Sequence, residues 1–152
     1  MEIERKFLIQ KVPEHPEQYK SHLIEQAYLN VRPVVRVRRE DENYYMTYKG
    51  VGMMAREEYN LPLDADSYAH LLQKADGNVI TKRRYLIPFH AYTIELDVFE
   101  GLFEGIVVAE GEFSRIEEAE RFSAPGWFCG DVTYYGRGYN RCMRRMKKEE
   151  IV

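Results

Sequence analysis

A chain of 152 residues, 45% hydrophobic and 31% charged, is long enough for one domain with its own core and too apolar to be disordered. Its 22 Lys and Arg against 25 Asp and Glu give a net charge of -3, which excludes the broad basic surface of a general nucleic-acid binder. The opening Met1-Glu2-Ile3-Glu4-Arg5-Lys6 is too charged for a signal peptide and no apolar run approaches a membrane span, so a cytoplasmic protein without membrane association is expected.

From the N-terminus onward, strands are expected over Glu2–Leu8, Ile24–Val31, Val34–Glu40, Tyr44–Lys49 and Ala55–Leu61. Asp64 or Asp66 then caps a helix with Tyr68, Leu71, Leu72 and Ala75 on one face, ended by Gly77. Strands resume over Val79–Ile87, Tyr92–Phe99 and Ile106–Phe113. All are rich in Val, Ile, Tyr and Phe, and turn signals divide them at Arg32-Pro33, Asp41-Glu42-Asn43, Gly50-Val51-Gly52, Pro88 and Gly101. Ser114-Arg115-Ile116-Glu117 fits a capping box opening a shorter helix to about Arg121. The basic stretch Asn140–Lys148 is helix-compatible, and reads as readily as a solvated end as it does as a functional one. No repeat or linker divides the chain, so a single domain over residues 1–152 is expected, an antiparallel meander of roughly eight strands with helices. Cys129 and Cys142 form no CxxC pair, and the scattered His15, His22, His70 and His90 offer no ligand spacing; the thiols are expected to be reduced.

Residues two apart on a strand share a face. Charged residues recur at that spacing: acidic pairs Glu2/Glu4, Glu95/Asp97 and Glu110/Glu112, basic pairs Arg36/Arg38 and Lys82/Arg84. Lys6 continues the first face, Lys49 ends its strand, and Arg56/Glu58 is mixed. Any one pair is best explained as the wet face of an amphipathic sheet. The set is not, because sign is segregated by strand, whereas a merely soluble face mixes both. The opposite faces are apolar too: Val35 and Val37 flank Arg36, and Ile94, Leu96 and Val98 flank Glu95 and Asp97. Charge inside a closed barrel is costly unless paired or bound to ions. Clustered carboxylates favour hard divalent cations, and Arg and Lys on the same cavity supply donors to phosphate oxygens. Both kinds of group together suit a metal-bound chain of phosphates, whose transfer is governed by positioning and charge neutralisation.

In order, Glu2-Ile3-Glu4-Arg5-Lys6, Gln26-Ala27-Tyr28-Leu29, Arg36-Val37-Arg38, Thr47-Tyr48-Lys49-Gly50, Arg56-Glu57-Glu58, Lys82-Arg83-Arg84-Tyr85, Glu95-Leu96-Asp97 and Ala109-Glu110-Gly111-Glu112 resemble the CYTH superfamily, the triphosphate tunnel metalloenzymes. The resemblance implies an α+β fold: an eight-stranded antiparallel β-barrel, open at both ends as a tunnel, with helices packed outside. It also implies Mg²⁺ or Mn²⁺ held by Glu2, Glu4, Glu110 and Glu112 with help from Asp97 and Glu95. Lys6, Arg36, Arg38, Lys49, Arg56, Lys82 and Arg84 would grip the triphosphate, with Glu4, Lys82, Glu110 and Glu112 nearest the reaction. Tyr28 would orient a basic group such as Lys82. Asn60 stands where the family often has a further Glu, so one wall charge is missing. Trp127, Asp131-Val132-Thr133 and Tyr139-Asn140 loosely resemble the family's closing segment, and the basic tail could plug one end.

Members of this superfamily include inorganic triphosphatases, thiamine triphosphatases, class IV adenylate cyclases and RNA triphosphatases. A compact chain without an insertion for base recognition is expected to hydrolyse a small triphosphate, tripolyphosphate first. The alternatives are an adenylate cyclase making cyclic AMP from ATP, and a tunnel that binds polyphosphate or nucleotides without turnover. Apolar outer sheet left uncovered by the helices would be covered in a homodimer.

Overall fold

The structure, a computed structural model, describes residues 1–9, 12–126, 128, 130 and 131. Trp127, Cys129, Cys142, the tail Asn140–Lys148 and, apart from Asp131, the rest of the closing segment lie outside these residues. In chain order the strands are β1 (Glu2–Leu8), β2 (Lys20–Asn30), β3 (Val34–Glu40), β4 (Asn43–Lys49), β5 (Ala55–Arg56) and β6 (Glu58–Leu63). Helix α1 (Ala65–Leu72) precedes β7 (Ile80–Phe89), β8 (Tyr92–Glu100) and β9 (Val107–Glu112), and α2 (Ile116–Arg121) precedes the short β10 (Gly130–Asp131).

Every pairing is antiparallel, in the order β10-β1-β9-β8-β7-β2-β3-β4-β6, with β5 on β1. The run Ala55–Leu61, expected as one strand, is two. Its first residues pair with β1 (Glu2↔Arg56) and its later ones with β4 (Lys49↔Glu58). The chain bends at Glu57, whose carbonyl accepts from Gly50 N at 2.9 Å. That bend is what closes the sheet, since neighbouring strands need different partners. Counting β5 and β6 as one stave recovers the expected eight-stranded barrel. β7 runs through Pro88, expected as a turn, to Phe89, and the turn at Ala91 follows instead.

Alternation sorts the chain into faces. Outward residues Ala27, Val37, Tyr44 and Met46 are covered by Tyr68, Leu71, Leu72 and Ala75 from α1 and beyond it. Asp64 is the N-cap, its Oδ1 accepting from Ser67 N at 2.7 Å, and the helix ends well short of Gly77. The second helix does not use the expected box: Arg115 is its N-cap and makes no side-chain cap bond. It is held at its other end, where Arg5 Nη1 donates to the carbonyls of Ala119 (3.1 Å) and Phe122 (3.0 Å). Tyr48, Tyr59 and Leu61 on the outside of β4 and β6 stay exposed. No helix among the described residues is long and apolar enough to cross a membrane.

Inside, the two ends of the barrel differ. At one end Tyr28, Val34, Ile80, Phe99 and Val108 from the strands, with Phe103 and Ile106 from the β8–β9 connection, form a buried apolar cluster with Leu8 against it. Burying such side chains contributes roughly 1.5–3 kcal/mol each. The resemblance implied a passage open at both ends; this cluster fills the interior at one of them. The remaining interior is charged.

Candidate active site

Register places the charged residues on one wall. Across β1 and β9, Glu4 faces Glu112 and Lys6 faces Glu110; across β8 and β9, Glu95 faces Glu110; across β7 and β8, Arg84 faces Asp97. They surround a cavity of about 200 Å³ lined by Glu2, Glu4, Lys6, Arg36, Arg38, Lys49, Arg56, Lys82, Arg84, Glu95, Glu110 and Glu112, among others. All the site residues expected from the sequence line this cavity except Asp97. At the end away from the apolar cluster, Glu95 and Glu112 also border a wider vestibule of about 620 Å³, whose other walls include Leu86, Tyr92, Thr93, Ser114 and Glu118.

The acidic side gathers three carboxylates. Glu2, Glu4 and Glu112 each present an oxygen, all within 4.8 Å of one another. Facing like charges repel, and the protons show it. Burial, with Glu110 nearby, pushes Glu4 up to about 7; burial, with Glu95 and Glu4, does the same to Glu112. Glu2 is raised as well, by burial and by its hydrogen bond with Glu58. Oxygen ligands at this spacing, reluctant to stay ionised together, are a donor set suited to a hard divalent cation. Glu110 behaves oppositely. Burial opposes its charge, but Lys6 at 3.6 Å and Arg84 at 3.9 Å hold it well below the usual carboxylate range.

Most cations of the wall are paired. Lys49 Nζ donates to both oxygens of Glu2 at 2.9 Å and lies 3.3 Å from Glu58; Arg56 lies 3.5 Å from Glu2 and 3.8 Å from Glu4. Asp97, expected among the metal-binding carboxylates, sits behind the cavity wall with no exposure. Its Oδ2 accepts from Lys82 Nζ at 2.6 Å and Arg84 Nη2 at 2.9 Å, and its Oδ1 from Arg84 Nε at 2.7 Å. Arg84 Nη1 donates to Glu95 at 2.7 Å. Lys82 also lies 5.4 Å from the Phe99 ring centroid. Burial, against the pull of Asp97, brings its amine down to about 7. Asp97 and Phe99 thus hold Lys82 in the structure, while Tyr28, expected to orient a basic group such as Lys82, belongs to the apolar cluster and also lines the cavity, where it acts on Lys6.

Arg36 and Arg38 on β3 are the exceptions. Both are buried, at 6% and 5% exposure, yet among the described residues neither has a carboxylate within ion-pair distance. Arg36 Nε has no hydrogen-bond partner among the described residues. Arg38 donates instead to the neutral Gln26. Sequence reasoning missed Gln26, Tyr45 and Thr47 as parts of this interior, although the two-residue period that selected Lys49 also selects Tyr45 and Thr47. Asn60, where a wall charge is missing, lines the cavity and links Thr47 Oγ1 (2.6 Å) to Glu58 (3.0 Å).

The chain resembles known proteins along most of its length. An inorganic triphosphatase of Nitrosomonas europaea is 31% identical over 147 residues, covering 93% of this chain and 95% of that protein. An inorganic triphosphatase of Acetivibrio thermocellus is 32% identical over 136 residues, covering 87% and 85%. The crystal structure of an inorganic triphosphatase superimposes with a TM-score of 0.70 at 29% identity, covering 96% of this chain and 95% of that one. Residues 1–123, which carry the closed barrel and every wall residue described above, match the CYTH domain. The chain belongs to the CYTH domain family.

Proposed function

We propose that this protein is a divalent-metal-dependent triphosphatase acting on inorganic tripolyphosphate within its barrel. The observation that carries the reading is the mismatch of charge across one cavity: among the described residues buried Arg36 and Arg38 lack an anionic partner, while Glu2, Glu4 and Glu112 crowd one another. A polyanion satisfies the first and a divalent cation the second. The relatives that align along most of the chain are inorganic triphosphatases, which supports the same substrate.

In this reading Glu2, Glu4 and Glu112 hold Mg²⁺ or Mn²⁺, with Glu110 and Glu95 beside them. The ion, when bound, neutralises phosphate charge and makes a water more acidic. Arg36 and Arg38 take the phosphate chain by bidentate contact, and Lys6, Lys49, Arg56 and Arg84 complete the grip. These cations are fixed before substrate arrives, so they stabilise developing charge without reorganising. Lys82, brought near neutrality by burial, is suited to giving a proton to the departing phosphate. Glu4, Glu110 and Glu112 flank the opposite, water side. Asp97 anchors Lys82 and Arg84 rather than binding metal.

The test is to incubate the pure protein with Mg²⁺ or Mn²⁺ and either tripolyphosphate or ATP, then measure orthophosphate, pyrophosphate and cyclic AMP. Orthophosphate and pyrophosphate from tripolyphosphate are expected. Cyclic AMP as the main product from ATP would make it a cyclase, and tight binding without any product would leave a binding module.

A further inference from the structure

The two basic strands hold their cations by different means. On β7, Lys82 and Arg84 are tied to the carboxylates of Asp97 and Glu95. On β3, Arg38 is tied to an amide. Gln26 lies directly opposite it in the β2–β3 register, and its Oε1 accepts from Arg38 Nε at 2.8 Å and from Nη2 at 2.5 Å. Gln26 thus engages two of the five guanidinium N–H groups, and Tyr45, opposite Arg38 on β4, is a second neutral side chain acting on it.

Gln26 is an expensive choice for this position. It has no exposure, and its Nε2 finds no hydrogen-bond partner among the described residues. The residues beside it on the inner face, Ile24, Tyr28 and Ile80, are members of the apolar interior. A leucine or methionine would occupy the place without a stranded amide, but could not hold a guanidinium. A glutamate would hold it as Asp97 holds Arg84, but would cancel its charge. Of these side chains, only the neutral amide fixes the plane of Arg38 and leaves its positive charge whole.

We infer that Gln26 is a positioning residue for triphosphate binding: its carbonyl oxygen aligns Arg38 and its neutrality reserves the charge of Arg38 for the substrate. The inference rests on the proposed function above.

The experiment is a double-mutant cycle. Gln26→Glu and Gln26→Leu are made alone and in Arg38→Ala and Arg36→Ala backgrounds, and each protein is assayed for tripolyphosphate hydrolysis, tripolyphosphate binding by calorimetry and melting temperature. Gln26→Glu is expected to raise KM and Kd about tenfold or more with a smaller change in kcat, and Gln26→Leu to raise them less. Both effects should vanish in Arg38→Ala and persist in Arg36→Ala. A KM and Kd within about twofold of the parent, or equal effects in the two arginine backgrounds, overturns the inference. If Gln26→Glu does not fold, Gln26→Leu decides by the same coupling criterion. Failure of the unaltered protein to hydrolyse tripolyphosphate would sink the proposed function alone, since the coupling between Gln26 and Arg38 is then read from Kd.

Discussion

Glu4 and Glu112 face each other across β1 and β9, and each has a carboxyl that titrates at about 7. An unfolded glutamate titrates at about 4.3. Between these values the folded, metal-free protein holds more protons than the unfolded chain, so its stability falls as pH rises from about 4.5 to 7. Glu110 works the other way, but only as pH falls below the ordinary carboxylate range, and Lys82 acts only above about 7. Thermal melts in chelator should therefore show a lower Tm at pH 7 than at pH 5, and Mg²⁺ should shrink the difference. A flat or rising Tm in chelator would mean that these carboxyls are not strained against each other. Glu4→Gln removes one member of the trio. Turnover should drop by more than the 10–100-fold typical of losing an outer partner of a metal ligand, while Tm in chelator holds or rises. Retained activity would take Glu4 out of the metal site. The sequence displayed these residues through their parity along strands. It did not display depth: Asp97 shares parity with Glu95, yet lies one pleat further toward the apolar end, where two cations use both its oxygens.

Asp97 matters most to the ladder of β7 against β8, because it links two cations of one strand to the next. Replacing it with Asn would leave Lys82, which has no exposure, without the carboxylate it is paired with. A broken buried pair of this kind costs about 3–5 kcal/mol. Asp97→Asn should lower the denaturant midpoint of the metal-free protein, opposite in sign to Glu4→Gln. A gain in stability would return Asp97 to the metal ligands. Strand existence was legible here because Val, Ile and Tyr alternate with charge over long stretches. The break at Glu57 was not, since Ala55–Leu61 has uninterrupted strand character and only the demand of two different neighbours divides it. The cap of α2 was misjudged for a related reason. Its helix is anchored by Arg5, over 100 residues away along the chain, and no local pattern records that contact.

At the level of the whole barrel, outer helices, closed sheet and charged interior could be anticipated from periodicity and ordered motifs. The apolar filling of one end could not, because Phe99, Phe103 and Tyr28 look like any core residues until closure gathers them. Phe103 is 1% exposed, and Phe103→Ala should cost about 3–5 kcal/mol by denaturant titration. A loss under 1 kcal/mol would show that end to be loosely packed rather than sealed.

The seal has a bearing on traffic. Val34 and Arg56 also border a separate recess of only about 10 Å³ beside Gly50, Val51 and Gly52, room for about one water. In the proposed reaction, a phosphate chain lodged against this apolar end would enter and leave by the vestibule, which suits a short substrate rather than one threaded through. In that reading the fragment nearer the vestibule is expected to depart first, past Glu95, Glu112 and Glu118. On the proposed function the barrel is a blind berth with an order of departure, and a phosphate left at its mouth would delay the piece behind it.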